Sequence, residues 1–300
     1  MATLKDLGYA FNGNGELRKL KDGSRFVFTN QEDYVRIGDA MTKELYGILE
    51  SQCGLEKIDI PIRIGNDQGD SMECKGFVYV SPGFQSKQTV TLIIHGSGAV
   101  RPGQWSRRLI LNESLETGSQ IPYIQRALKN GWGVVVCSTN TDEQIHNYAC
   151  QHLCAVYEKL LKDSQIERFF VIAHSRGGPD FANAFLNFQQ DRRFTVVCLT
   201  DSVDIQLPPS GYAVPPIGGP IFINWKANSN FQQTALSDGE ILNWFSRVHH
   251  IYAGTTEHER SSHAAINSVF HILENWHDAN DLPKLLAEAS GLTSAGVTEA

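Results

Sequence analysis

Beyond about residue 56 the chain alternates between short apolar runs and longer stretches in which apolar residues recur every three or four positions. The runs are IDIPI (58–62), FVYV (77–80), VTLII (90–94), WGVVVC (132–137), RFFVIA (168–173), FTVVCL (194–199) and HHIYA (249–253). The later ones are continuous and rich in β-branched residues, the pattern of strands covered on both faces in a parallel sheet. Between them, helical spacing predicts helices over Ile121–Asn130, Glu143–Lys162, Asp180–Gln190 and Ala264–Trp276. Strand and helix in alternation predict an α/β fold with a doubly wound, mostly parallel sheet and helices on both faces.

The first 55 residues follow a different pattern and predict a hairpin-and-helix elaboration. Asn12-Gly13-Asn14-Gly15 and Asp22-Gly23 are turn signals between the runs GYAF, LRKL and RFVF. Tyr34, Ile37, Met41, Leu45, Ile48 and Leu49 then recur at helical spacing over about Gln31 to Ser51, with Gly54 just past the end. No linker or repeat divides the chain. The expectation is one domain over 1–290, with a core over 56–290 and a disordered tail over 291–300. The stretch 205–245, with QLPPSGYAVPPIGGP, reads either as a lid or binding segment or as an irregular insertion.

The sharpest local feature is FFVIAHSRGG (169–178), an apolar strand running into small-x-Ser-x-Gly and then a helix. This is the context of a nucleophile elbow, in which Ser175 sits on a tight strand-to-helix turn. Ala173 stands where the first glycine of that motif is usual. The other reading is a strand-turn-helix with an incidental serine. Upstream, VTLII ends in His95-Gly96-Ser97-Gly98. Amides near Gly96 and Ser97, with the amide of Arg176, are placed to form an oxyanion hole. A dinucleotide loop fails because Arg101 stands where GxGxxG needs glycine, and no GxxxxGK[ST] occurs.

A serine nucleophile needs a base and an orienting acid in the chain order Ser, acid, His. Asp201 follows FTVVCL at a strand end, where functional side chains of open α/β sheets gather; otherwise it is a turn or cap residue. After HHIYA comes GTTEHE, which makes His258 the leading base and His263 the second candidate. The spacing HExxxH is not that of a zinc helix. His174, next to the serine, is expected to point away from it and serve packing. Arg101, Arg107 and Arg108 flank Trp105; they read either as receivers of an acidic substrate or partner, or as a loop tied by ion pairs.

Composition narrows the function classes. Lys plus Arg is 26 against 33 Asp plus Glu, a net charge of −7, which argues against a direct nucleic-acid surface. Apolar residues are 41% and charged residues 20%, ordinary for a globular chain with a sizeable core. No apolar run approaches the length of a membrane span, and MATLKDLGYAF has no signal-peptide pattern. The six cysteines, Cys53, Cys74, Cys137, Cys150, Cys154 and Cys198, are therefore expected as free thiols. Cys150 and Cys154 share a helical stripe with His146, but with no CxxC and no fourth ligand no metal is expected. No cofactor is expected.

The block HGSGAVRPGQWSRRLILNESLETGSQIPYIQRA (95–127) closely resembles the Argonaute-binding-protein-two (Arb2) domain family, above all its animal cotranscriptional regulators. The resemblance continues through GYAFNGNGELRKLKDGSRFVF (8–28), FFVIAHSRGG, LTDSV (199–203) and AGTTEHE (253–259), covering about residues 5 to 275. It implies an α/β-hydrolase-like fold placed in gene regulation, with links to Argonaute binding, small-RNA pathways, chromatin and alternative splicing, in the nucleus; with no signal peptide, the cytoplasm is expected as well. It puts the nucleophile position on Ser175, the acid on Asp201 and the histidine on His258. The chain departs from some animal members in lacking a charged insertion, terminal extensions and an ER-retention-like end. Arg176 also stands where an aromatic residue is usual.

Two functions follow from these readings. One is a regulator that binds Argonaute and chromatin or splicing proteins, using a hydrolase scaffold. The other is an active serine hydrolase of an ester, thioester or amide.

Overall fold

The computed structural model describes residues 2–65, 71–142, 145–203, 219–228 and 248–293. It opens with a hairpin of β1 (Tyr9–Phe11) and β2 (Leu17–Lys19). Asn12 Oδ1 closes the turn by accepting from the amides of Asn14 and Glu16 at 2.9 and 3.0 Å. Helix α1 (Gln31–Ser51) starts at Asn30, whose side chain accepts from the amide of Asp33, and occupies the range its apolar spacing predicts. Among the described residues the third run, RFVF, pairs only through Arg25, and Val27 and Phe28 stay exposed.

The core elements follow in order: β3 (Glu56–Gly65), β4 (Ser71–Val80), β5 (Thr89–Ile94), α2 (Arg107–Asn112), α3 (Leu115–Gly118), α4 (Ile121–Lys129), β6 (Gly133–Cys137), α5 (Tyr148–Val156), β7 (Arg168–His174), α6 (Gly177–Phe185), β8 (Phe194–Thr200), β9 (Ile221–Lys226), β10 (Val248–Tyr252), α7 (Ser261–Glu274) and α8 (Leu282–Leu292). A π turn over Tyr157–Leu161 widens the end of α5. Across the sheet the order is β3-β4-β6-β5-β7-β8-β9-β10, and β4 alone runs against the other strands. This is the expected α/β-hydrolase-like, mostly parallel sheet.

Alternate residues of the central strands feed two cores, one on each face of the sheet. Ile93 and Ile172 pack with Leu45 of α1, Ile124 of α4, Phe270 of α7 and Leu286 of α8. Leu92 and Val171 pack with Leu153 of α5 and with Phe181 and Phe185 of α6. Burial on both faces is why these strands read as unbroken apolar runs. Leu4, Leu17 and Phe26 of the N-terminal segment belong to the α1 side of the core.

Strand β9 lies inside the stretch expected to be irregular. The remainder of that stretch, including any lid, lies outside the described residues; of the tail expected over 291–300, Gly291 and Leu292 close the last helix instead, and the residues from 294 on lie outside the described ones. Helix α8 was not predicted. Its signal is present in Pro283 in the first turn and in Leu282, Leu285, Leu286 and Ala289 at helical spacing. Among the described residues no helix is long and apolar enough to cross a membrane.

Candidate active site

Strand β7 ends at His174 and α6 begins at Gly177, which leaves Ser175 in the turn with φ 53°, in the left-handed region. A β-branched or bulky residue is strained there, and serine is small. The turn is held to the neighbouring strand by the Ser175 amide, which donates to Thr200 O at 3.1 Å. Gly177 lets the helix close on the strands, because a Cβ there would stand 2.6 Å from His95 O.

Asp201 follows β8 directly, also left-handed at φ 45°, a conformation Asp tolerates better than most residues. Its amide donates to Trp225 O at 2.7 Å, and its Oδ1 accepts from the Ala227 amide at 2.9 Å. Both of those partners come from β9 and the residue after it. Sequence reasoning did not supply them, since they lie in the Pro/Gly-rich stretch.

His258 lies beyond β10, in a single turn that leads into α7. Its Nδ1 is 2.6 Å from Asp201 Oδ2 and its Nε2 is 3.0 Å from Ser175 Oγ. With the carboxylate ionised, Nδ1–H donates to it, and Nε2 is left to accept from the serine hydroxyl. Burial pushes the Asp201 carboxyl up, but the hydrogen bonds from His258 and the Ala227 amide outweigh it and hold the group below the usual carboxylate range. His258 is 47% exposed at its side chain and Asp201 17%, so the imidazole meets solvent while the carboxylate is sheltered. His258, not His263, is the histidine bonded to Ser175.

His174 does not turn away. Its ring lies 4.8 Å from that of His258, while its Nδ1 stands 2.8 Å from Thr200 O. Burial, with the neighbouring His258 imidazole acting in the same direction, lowers its pKa to about 3. Held neutral, Nδ1–H donates to the carbonyl, and the ring packs against that of His258. His95 is likewise buried, its pKa lowered to about 4.

A cavity of about 230 Å³ opens on Ser175 and His258. Gly96 and Ser97 line it, which places two of the three predicted oxyanion residues beside the serine. Arg176 follows the serine at the start of α6, and its side chain pairs with Asp180 at 3.2 Å.

Arg101 in the loop after β5, and Arg107 and Arg108 in the first turn of α2, are all ion-paired. Arg101 meets Asp142, and Arg107 meets Asp39 at 3.1 Å. Arg108 meets Glu259 and, at 3.7 Å, Glu257. Arg260 meets Glu257 at 3.1 Å and Glu113. These bridges tie the turn carrying His258 to the segment after β5.

Cys137 and Cys198 are buried, and all six cysteines are free thiols. Among the described residues no group of three or more His, Cys, Asp or Glu is arranged to hold a metal ion.

Comparison with known proteins adds to this geometry. The family model of the Arb2 domain matches residues 1–148. A FAM172 family protein homologue of Caenorhabditis elegans is 38% identical over 97% of this chain and 93% of its own length. The cotranscriptional regulator ARB2A of Homo sapiens is 30% identical over 89% of this chain and 79% of its own. Among solved structures, the histone deacetylase Clr3 superposes with a TM-score of 0.49 at 15% identity, covering 84% of this chain and 41% of that one.

Proposed function

The chain belongs to the Arb2 domain family, and from that premise we propose that it is a serine hydrolase of acyl esters, thioesters or amides built into a regulatory protein. The observation that carries the hydrolase reading is the continuous relay from Ser175 Oγ through His258 to Asp201, at 3.0 and 2.6 Å. As Ser175 Oγ bonds to the substrate carbonyl carbon, its proton passes to His258 Nε2. Asp201 fixes the imidazole tautomer and stabilises the imidazolium. The amides of Gly96, Ser97 and Arg176 receive the negative oxygen. His258 then returns the proton to the leaving group, and water releases the acyl group by the same steps.

The test is labelling by a fluorophosphonate probe. The wild type is expected to take up one equivalent and Ser175→Ala none. A folded wild-type protein that resists the probe would remove this reading.

A second reading is favoured by the relatives named cotranscriptional regulators. On it the chain acts in the nucleus within a gene-regulatory assembly, with Argonaute and chromatin or splicing proteins as partners. The net charge of −7 favours contact through protein rather than nucleic acid. Affinity purification should recover those proteins, and their absence would dismiss it.

A further inference from the structure

Arg107 is the unusual residue of the cavity beside Ser175. It lines that cavity, yet it is only 7% exposed. Its Nη2 has Asp39 Oδ1 at 3.1 Å, and its buried Nε has no hydrogen-bond partner among the described residues. A buried guanidinium with donors to spare is costly unless something completes its bonding. Its carboxylate, Asp39, is 41% exposed at the side chain and therefore shared with water.

The position is also built. Gly38 sits in the middle of α1, where glycine costs about 1 kcal/mol relative to alanine. A Cβ at that position would stand 2.8 Å from Arg107 Cδ and 2.9 Å from its Nη1. The helix thus gives up stability to make a slot for this side chain.

The remaining charges of the cavity are matched. Arg108 and Glu259, both in its lining, meet each other. One guanidinium with spare donors suits a single carboxylate, whose two oxygens fit its planar fork, better than a doubly charged phosphate. At about 230 Å³ the cavity lies below the roughly 300–1,000 Å³ usual for drug-sized ligands, so the group it takes is small.

We propose that this cavity receives a short acyl chain ending in a carboxylate, of the glutaryl or succinyl type, with Arg107 binding that carboxylate while Ser175 faces the ester. The cleavage step rests on the hydrolase reading; the binding does not.

The experiment measures binding and chemistry separately. Ser175→Ala protein is titrated by calorimetry with monoethyl glutarate and with ethyl pentanoate, a pair matched in chain length. The acid is expected to bind at least about tenfold more tightly, the worth of a charge-assisted hydrogen bond. Adding Arg107→Met should bring the ratio close to one. Asp39→Asn, at a partly exposed site, should widen it by releasing the guanidinium, and this variant decides the matter if Arg107→Met does not fold. Equal binding of the two esters, or a ratio that neither variant moves, overturns the proposal. Fluorophosphonate labelling of the wild type reads the hydrolase assignment independently. Arg107-dependent binding without labelling retains this inference and removes the hydrolase, and labelling with Arg107-independent binding does the reverse.

Discussion

The rings of His174 and His258 lie 4.8 Å apart and tilted by 34°, one buried and neutral, the other half-exposed and bonded to Ser175. His174 shares its fate with His95 and His152, both wholly buried, whose pKa values burial lowers to about 4 and about 3. An unfolded imidazole takes up its proton near pH 6.5, whereas these three refuse it until far lower. Their contribution to stability is therefore full above about pH 6.5 and is lost as the pH drops toward 4, by up to roughly 4 kcal/mol per pH unit for three protons. Urea unfolding across that range should show the slope. His174→Asn should lower it by about a third, and an unchanged slope would exclude His174 as a contributor.

Asp201→Asn should fold, because Asn tolerates the left-handed backbone that Asp201 occupies. It reverses the tautomer of His258 and should slow reaction of Ser175 with the fluorophosphonate by about 10⁴-fold. The rate constant for labelling measures this, and a loss below tenfold would separate Asp201 from the relay.

Gly177→Ala should destabilise the protein by about 1–3 kcal/mol, since the new methyl meets His95 O at 2.6 Å and Ile94 Cγ2 at 3.0 Å. Thermal melting would register the drop. The same push falls on the strand that leads into the oxyanion segment, so labelling should slow as well.

Ser268 links three elements. Its hydroxyl accepts from Trp225 Nε1 at 2.7 Å and donates to Ala289 O at 2.8 Å, joining β9, α7 and α8. Ser268→Ala strands both groups in a buried site and should cost about 1–3 kcal/mol in chemical denaturation. A change below about 0.5 kcal/mol would mean that water replaces the hydroxyl.

The course of the central sheet was legible because its strands are buried on both faces and its helices on one. Helix α1 shows this best, with Ile37, Met41, Leu45 and Leu49 all buried at the spacing that defines it. Strand β9 was hidden because its apolar run is broken by Asn224, a buried polar residue that only the fold explains. Its side chain accepts from the Ser202 amide at 3.1 Å and donates to Ser202 O at 3.2 Å. The site divided in the same way. The elbow at Ser175 is local in sequence and could be read directly. Preferring His258 over His263 depends on a contact 83 residues away. The facing of His174 depends on Thr200, 26 residues on. Arg107 was noticed for its charge, but its burial and its slot at Gly38 belong to packing between α2 and α1.

The bridges from Arg108 to Glu257 and Glu259, and from Arg260 to Glu257 and Glu113, join side chains that are about a quarter to a half exposed. Attraction between such charges fades within about 10 Å at 0.1 M salt and more quickly above it. Neither the sheet nor the elbow at Ser175 depends on it. Added salt should therefore loosen the turn that carries His258 while sparing Ser175, so that one side of the site answers to its ionic surroundings and the other does not.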